Sequence, residues 1–322
     1  MYIVTGGAGF IGSNIVRGLN QRGIDEILVV DELDQADKHL GLSGLDFEDV
    51  VDHRDLAGHW DQVIDDGVEA VLHQGACSDT METDGRYMME VNYECSKELL
   101  HACLDEEVPF LYASSASVYG NGEHGFREAP ECESPLNVYA FSKFQFDRYV
   151  RRVAAGAPSQ VAGLRYFNVY GPQENHKGRM ASVVRHFHDQ VTEGGAMRVF
   201  AGSEGFLRDF VFVDDVVAVN LWLLENPEVS GVFNCGTGTA RSFLDIATIL
   251  SGLYEPAPGV ETIPFPEALE GKYQAYTCAD LAALRAAGYD ADFATLEEGV
   301  AAYVACLKAT DGYYRRAAGT EA

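Results

Sequence analysis

Two rhythms alternate along this chain: short, nearly unbroken apolar runs, and longer stretches in which apolar positions recur every third or fourth residue. Tyr2 to Thr5, Ile27 to Val30, Phe47 to Val51, Glu69 to His73, Phe110 to Ala113 and Gln160 to Tyr166 are rich in β-branched and aromatic residues and read as six buried strands. Between them, Phe10, Ile11 and Ile15 open a helix that runs to about Arg22. Met88, Met89, Leu99, Leu100 and Cys103 mark a long amphipathic helix from about Gly85 to Glu106, and another starts near Asn137. Strands alternating with helices from residue 2 to 170 predict an α/β fold, a parallel sheet doubly wound by helices.

The texture changes at Gly171. A polar loop, His176-Lys-Gly-Arg179, precedes a helix from Ala181 to Val191, and Arg208 is placed just ahead of a strand. Gly231 to Gly238 reads as strand and turn, Pro256, Pro258, Pro264 and Pro266 mark loop or extended edge, and Leu281–Leu284 with a 295–308 helix complete the core. The expected organisation is a dinucleotide-binding domain over 1–170, regained at about 205–235. A smaller α/β substrate domain takes 171–205 and 236–310, and 311–322 forms a loose tail.

The first strand runs into Gly6, Gly9 and Gly12 at spacing three, then into the first helix. Strand, glycine turn and helix in that order suit a dinucleotide pyrophosphate, because the turn lets backbone N–H groups approach the phosphates and the helix N-terminus favours negative charge. The second strand ends at Asp31, nineteen residues after Gly12, where an acid able to bind the adenosine ribose belongs. Thr5, Asp31, Gly75, Ser115 and Asn168 all fall at predicted strand ends, and ligands of such sheets bind at the carboxyl ends of the strands.

Tyr139 and Lys143 lie one turn apart on a helix face. A tyrosine with a pKa of about 10 is a poor base at neutral pH. An ammonium beside it, with the positive charge of a nicotinamide, would favour phenolate and let it take a proton from a substrate hydroxyl. Ser115 could hydrogen-bond the same oxygen. A non-catalytic cofactor sensor would keep the glycine turn but would have no use for Ser115, Tyr139 and Lys143 together.

Composition narrows the partners. The 322 residues are 47% hydrophobic and 23% charged, as in ordinary globular proteins, and they can bury a large core. The net charge of −27, from 23 basic and 50 acidic residues, argues against nucleic acid or an anionic membrane as partner. It also requires the few basic residues to gather where polyanionic ligands bind. No apolar run is long enough to span a bilayer, and Met1 leads straight into a strand without a secretion signal, so a cytoplasmic location is expected. Seven scattered cysteines without a Cys-x-x-Cys pair argue against a disulfide framework or a zinc site.

Thr5-Gly-Gly-Ala-Gly-Phe-Ile-Gly12, Asp31, Asp52-His-Arg-Asp55, Asn92, Ser114-Ser115, Tyr139-x-x-x-Lys143 and Arg165-Tyr-Phe-Asn-Val-Tyr-Gly-Pro172 together resemble the extended short-chain dehydrogenase/reductases that act on nucleotide-sugars. The likeness covers nearly the whole chain. His73-Gln-Gly-Ala-Cys-Ser78, Tyr87-Met-Met89, Pro135-Leu-Asn-Val-Tyr139, His176-Lys-Gly178, Met180-Ala-Ser-Val183 and Gly271-Lys-Tyr-Gln-Ala-Tyr276 are similar to the branch of that family that epimerises an ADP-heptose at C6 for lipopolysaccharide core. The resemblance implies a Rossmann sheet and catalysis by Tyr139, Lys177, Lys143 and Ser115. Without it, Lys177 would read as a solvated loop lysine, and His176 has no clear role.

The same resemblance implies cofactor contacts from Gly6, Gly9, Phe10, Ile11, Gly12, Asp31, Glu32, Lys38, His53, Gln74, Gly75, Ala76, Cys77, Ser78, Val91, Asn92 and Val169, besides Tyr139, Lys143 and Lys177. It implies substrate contacts from Asn168, Arg179, His186, Phe200, Ala201, Gly202, Ser203, Arg208 and Tyr273, with Arg179 standing where a small residue is usual. Arg208 would clamp the substrate pyrophosphate. Asp31 alone favours NAD, whereas Lys38 supplies the charge for a 2′-phosphate, so NADP is expected ahead of NAD even though His53 replaces a second lysine. A 4,6-dehydratase would need an acidic pair where this chain has Ala116 and Ser117, and a 4-epimerase does not account for the His176-Lys-Gly loop. The implied assembly is a homo-oligomer, a pentamer.

Overall fold

A computed structural model describes residues 1–34, 37–266 and 274–315. Seven parallel strands form the main sheet: β1 (Tyr2–Thr5), β2 (Ile27–Asp31), β3 (Asp49–Asp52), β4 (Ala70–His73), β5 (Phe110–Ser115), β6 (Val161–Tyr166) and, after three others, β10 (Gly231–Cys235). Their spatial order is β10-β6-β5-β4-β1-β2-β3. The order reverses between β1 and β4, and that reversal opens the crevice in which such sheets hold ligands. The inner strands β1, β2, β4, β5 and β6 are covered on both faces, which is why they read as near-continuous apolar runs.

One face is packed by the helices Phe10–Asn20 and Val213–Glu225 through Ile15, Val16, Leu19, Val217 and Leu221. The other is packed by Cys95–Asp105 and Val138–Val153 through Leu99, Leu100, Cys103, Phe146 and Val150. Smaller sheets stand at the carboxyl end. β7 (Asn168–Tyr170) and β11 (Ala240–Ser242) flank β9 (Leu207–Phe212), and β8 (Met197–Phe200) pairs β12 (Val260–Ile263).

Three expectations are corrected. The third strand runs from Asp49 to Asp52, not Phe47 to Val51, because Phe47 turns inward against the core and pairing with β2 begins at Asp49 opposite Leu28. Arg208 lies inside β9 and not ahead of it: Leu207 N–H already bonds the Ala275 carbonyl at 2.9 Å, and Arg208 pairs in register with Arg241. The described part of the tail is packed, with the Tyr314 ring 4.0 Å beneath the Arg17 guanidinium and the Gly312 carbonyl accepting the Gln173 N–H at 2.8 Å. The long helix at 85–106 is continuous but changes pitch, with a π-helical stretch at Glu90–Glu94 that contains Asn92. Such stretches often mark functional positions.

Candidate active site

The glycine turn is built by close approach. Gly6 has φ +64°, and a Cβ there would lie 2.6 Å from the Gly75 nitrogen, so β1 and the segment after β4 meet only because both positions are bare. Gly12 is buried against the Gly6 carbonyl. Gly9, at the N-terminus of the helix Phe10–Asn20, is half-exposed with little around its missing side chain. Phe10 and Ile11 follow inside that helix.

The turn is braced from β2. Asp31, buried at the strand end, accepts the Ala8 N–H at 2.8 Å, the Glu32 N–H at 2.7 Å and the Lys38 ammonium at 2.8 Å. The carboxylate expected to bind ribose thus already takes three donors from the chain, and Lys38 neutralises the charge that would repel a 2′-phosphate. Arg54 is committed to Asp34 and Asp52, and His53 stands 3.6 Å from Asp52.

A one-way chain of hydrogen bonds sets the floor between β1 and β4. Gly75 N–H donates to Thr5 Oγ at 3.1 Å, the Thr5 hydroxyl to His73 Nδ1 at 2.7 Å, His73 Nε2–H to Ser96 Oγ at 2.8 Å, and the Ser96 hydroxyl to the Asn92 carbonyl at 2.9 Å. These directions are the ones that satisfy every member, and they require a neutral His73; burial pushes its pKa down to about 3. Asn92 then accepts the Cys77 N–H at 2.8 Å and donates to the Cys77 carbonyl at 2.9 Å and to Ser142 at 3.1 Å. It pins the Gln74–Ser78 segment to the helix of Tyr139 without itself facing the crevice, while Val91 stays half-buried beside it. The Gln74 side chain accepts from the Tyr166 hydroxyl at 3.0 Å, and its buried amide nitrogen has no partner among the described residues. A bare-glycine cradle at a helix N-terminus, an acid–lysine pair at the end of β2 and an unsatisfied buried donor after β4 fit a nicotinamide dinucleotide.

Asn137 caps the helix Val138–Val153 by accepting the Ala140 N–H at 2.8 Å, which sets Tyr139 in the first turn beside Ser115. Burial raises the Tyr139 pKa, and its hydrogen bond with Ser115 pulls the other way. Lys143 is buried, donates to the Ala113 carbonyl at 2.9 Å, and loses enough hydration to fall to about 8. Within the chain alone, desolvation of the phenolate outweighs the help it receives, so the lowering expected of Tyr139 depends on the positive charge of a bound nicotinamide.

Lys177 is not a solvated loop lysine. Glu174, fully buried, holds both ends of its turn: its carbonyl accepts the Lys177 N–H at 3.0 Å, and its carboxylate takes the Ser182 N–H at 2.6 Å. The ammonium lies 4.9 Å from the centre of the Phe10 ring, over the glycine turn, and burial lowers its pKa against the pull of Glu174. His176 is half-buried among Lys38, Lys177, Asp31 and Asp37, and loss of hydration with the two lysines pushes it down to about 4. Arg179 reaches back to Asp79, 2.7 Å away on the segment after β4, so an exposed ion pair spans the two loops. His186 Nε2 is 3.4 Å from the Arg179 carbonyl oxygen.

Asn168 and Val169 lie on β7, opposite Phe210 and Val211. Phe200 ends β8, with its ring against Phe265, and leads through Ala201 and Gly202 to the buried Ser203. Arg208 donates to the carbonyl of Gln274, whose side chain reaches the Gly120 carbonyl just beyond β5. Tyr273 lies outside the described residues. Sequence reasoning gave no role to Ser96 or Asp79, and it named Thr5 and His73 only within motifs, without the hydrogen bonds that join them.

Residues 2–236 match the model of the NAD dependent epimerase/dehydratase family. The chain belongs to that family. Among its relatives is the ADP-L-glycero-D-manno-heptose-6-epimerase of Brachyspira hyodysenteriae, 58% identical over 97% of this chain and 99% of the relative. The crystal structure of the Helicobacter pylori protein of the same description is similar at 29% identity and a TM-score of 0.82, with 96% of each chain covered. A Thermus thermophilus UDP-glucose 4-epimerase in complex with NAD is similar at 28% identity and a TM-score of 0.78, over 96% of this chain and 99% of that one. The nucleotide-sugar resemblance read from the motifs agrees with this membership. As a member of an epimerase family the chain is an enzyme, and its cofactor is a nicotinamide dinucleotide. Among the described residues no helix is long and apolar enough to cross a membrane, and no group of three or more His, Cys, Asp or Glu could hold a metal ion.

Proposed function

We propose that this enzyme interconverts ADP-D-glycero-β-D-manno-heptose and ADP-L-glycero-β-D-manno-heptose at C6, with NADP as its cofactor, in the supply of heptose for lipopolysaccharide core. The observation that carries the reading is Lys177, a lysine held in a hydrogen-bonded turn over Phe10, on a different element from the Tyr139–Lys143 helix and Ser115. Inversion through a ketone needs a proton donor and acceptor for each face of the carbon. The 58% identity to the Brachyspira relative supports the choice of sugar.

Gly9, Phe10, Asp31, Lys38 and the Gln74–Ser78 segment would hold the cofactor, which supplies reversible hydride transfer when bound. Tyr139 takes the proton from the C6 hydroxyl oxygen, with Ser115 sharing that oxygen and Lys143 as the neighbouring cation. After the heptose turns over its exocyclic bond, Lys177 gives a proton to the ketone oxygen from its own side. Each holds the opposite role in the reverse reaction, so no net cofactor is consumed. Arg208 would clamp the substrate pyrophosphate, and the charge that Lys38 brings beside Asp31 supports NADP over NAD. The family resemblance adds a cytoplasmic homo-oligomer, a pentamer, which sedimentation would count.

The test is to denature the purified protein, identify the released nucleotide, and incubate fresh protein with ADP-D-glycero-D-manno-heptose, resolving C6 by proton NMR. Released NADP and conversion without net NADPH support the proposal. Turnover of a UDP-hexose with the heptose untouched would replace the sugar and leave the chemistry in place.

A further inference from the structure

The helix face that carries Tyr139 and Lys143 continues at steps of four to Asp147 and Arg151. Asp147 is fully buried and takes donors from two adjacent strands. From β5 the Tyr112 hydroxyl donates to Oδ1 and the Ser114 hydroxyl to Oδ2, each at 3.0 Å; from β6 the Arg165 Nε–H donates to Oδ2 at 2.8 Å. The strand position opposite Tyr112 is Gly163, where a Cβ would sit 2.5 Å from the Tyr112 oxygen. Arg165 also binds Glu133, and Glu133 binds Arg151 at 2.9 Å, so two carboxylates and two guanidiniums balance one another.

Three successive residues of β5 therefore meet the helix in three rungs. Ser115 bonds Tyr139, Ala113 accepts Lys143, and Ser114 between them bonds Asp147. A buried ion pair rarely adds stability over an apolar core of the same volume. What this one contributes instead is geometry, since a carboxylate fed from two strands fixes how the helix lies along the sheet, and charge one turn from a buried ammonium.

We propose that Asp147 is a positioning residue for the reaction, fixing the register of Ser115 against Tyr139 and supplying the counter-charge to the Lys143 ammonium. The other titratable groups about Lys143 are the Tyr139 phenol one turn earlier on the same helix, His73, which is neutral, and the Cys77 thiol. Burial pulls Lys143 down to about 8, and Asp147 is the larger of the two influences that hold it up. The proposal deepens the functional reading above and rests on it for the role of Lys143, but its first test needs no substrate.

In the cofactor-free full-length protein, the neutral fraction of Lys143 is followed against pH by competitive acetylation with acetic anhydride and peptide mass spectrometry. The wild-type midpoint should lie near about 8. Asp147→Asn should lower it by roughly half a pH unit or more, an increase of about threefold in neutral amine on the acid side. Asp147→Glu keeps the charge and should hold the midpoint. An unmoved midpoint in folded Asp147→Asn overturns the proposal. If that variant does not fold, Tyr112→Phe combined with Ser114→Ala removes two neutral donors and keeps the charge; its midpoint should stay or rise, and a fall overturns the proposal. In turnover of the ADP-heptose, the alkaline limb of the pH–rate profile of Asp147→Asn should move to lower pH, whereas a loss equal at every pH would mark a merely structural role. If the wild type turns nothing over, the functional reading fails while the labelling result still decides the role of Asp147.

Discussion

The three glycines of the first turn are equally spaced in sequence but stand in different surroundings, and alanine substitutions should separate them. At Gly12 a Cβ would lie 2.7 Å from the Gly6 carbonyl carbon and 2.8 Å from Gly7 Cα, where carbon atoms normally stand about 3.5–4 Å apart. Both neighbours are backbone, so the helix Phe10–Asn20 must retreat by roughly 1 Å. Overpacking of this kind costs about 1–3 kcal/mol. Because no rotamer can relieve it, the upper end applies, and exchanging glycine for alanine inside a helix returns about 1 kcal/mol. The net cost is about 2 kcal/mol, or a fall in Tm of roughly 3 °C for a cofactor-free protein of this size.

At Gly9 the nearest atom is 3.1 Å away and the next 4.0 Å, and the backbone is extended at φ −81° and ψ −179°. Gly9→Ala should therefore cost under about 0.5 kcal/mol and leave the melting curve almost in place. What it removes is the approach of the backbone to a pyrophosphate. Losing one charge-assisted hydrogen bond costs about 1.5–3 kcal/mol, so NADP should bind roughly 10- to 100-fold more weakly. Thermal unfolding without cofactor and NADP titration by protein fluorescence give the two readouts. A Gly9→Ala protein that melts as early as Gly12→Ala, or that binds NADP as tightly as the wild type, would refute this account of the turn.

Tyr139→Phe and Lys177→Met should each lower ADP-heptose conversion by about 10²–10⁴-fold while the bound nucleotide is retained on gel filtration. His73, neutral in the fold with a pKa of about 3 against about 6.5 unfolded, contributes stability that is complete above pH 6.5 and is lost as pH falls toward 3. Urea unfolding at falling pH should show a slope near 1.4 kcal/mol per pH unit from this residue, and the slope should drop by about one proton in His73→Gln. Deleting residues 312–322 removes the Gly312 carbonyl that holds Gln173 and the Tyr314 ring beneath Arg17. Faster amide exchange over residues 173–180 is expected with the central sheet unchanged, and unaltered exchange there would mean that the loop stands without the tail.

The sheet, its parallel sense and the glycine turn were legible in the residues alone, because strands covered on both faces leave short unbroken apolar runs and amphipathic helices leave a period of 3.6, and both are local patterns that survive without tertiary context. The sequence also placed Tyr139 and Lys143 together, since a spacing of four on one helix is a local fact. Tertiary structure decided whatever depended on burial or on partners far along the chain. It moved Arg208 into β9 through the Ala275 carbonyl, packed Tyr314 under Arg17, and turned Lys177 from a loop charge into a held ammonium over Phe10. It also set the burial of Tyr139, which raises the pKa of that phenol in the chain alone. Spacing tells which charges are near a phenol, but only the fold says how much water the phenol has lost, and here that loss is the larger effect.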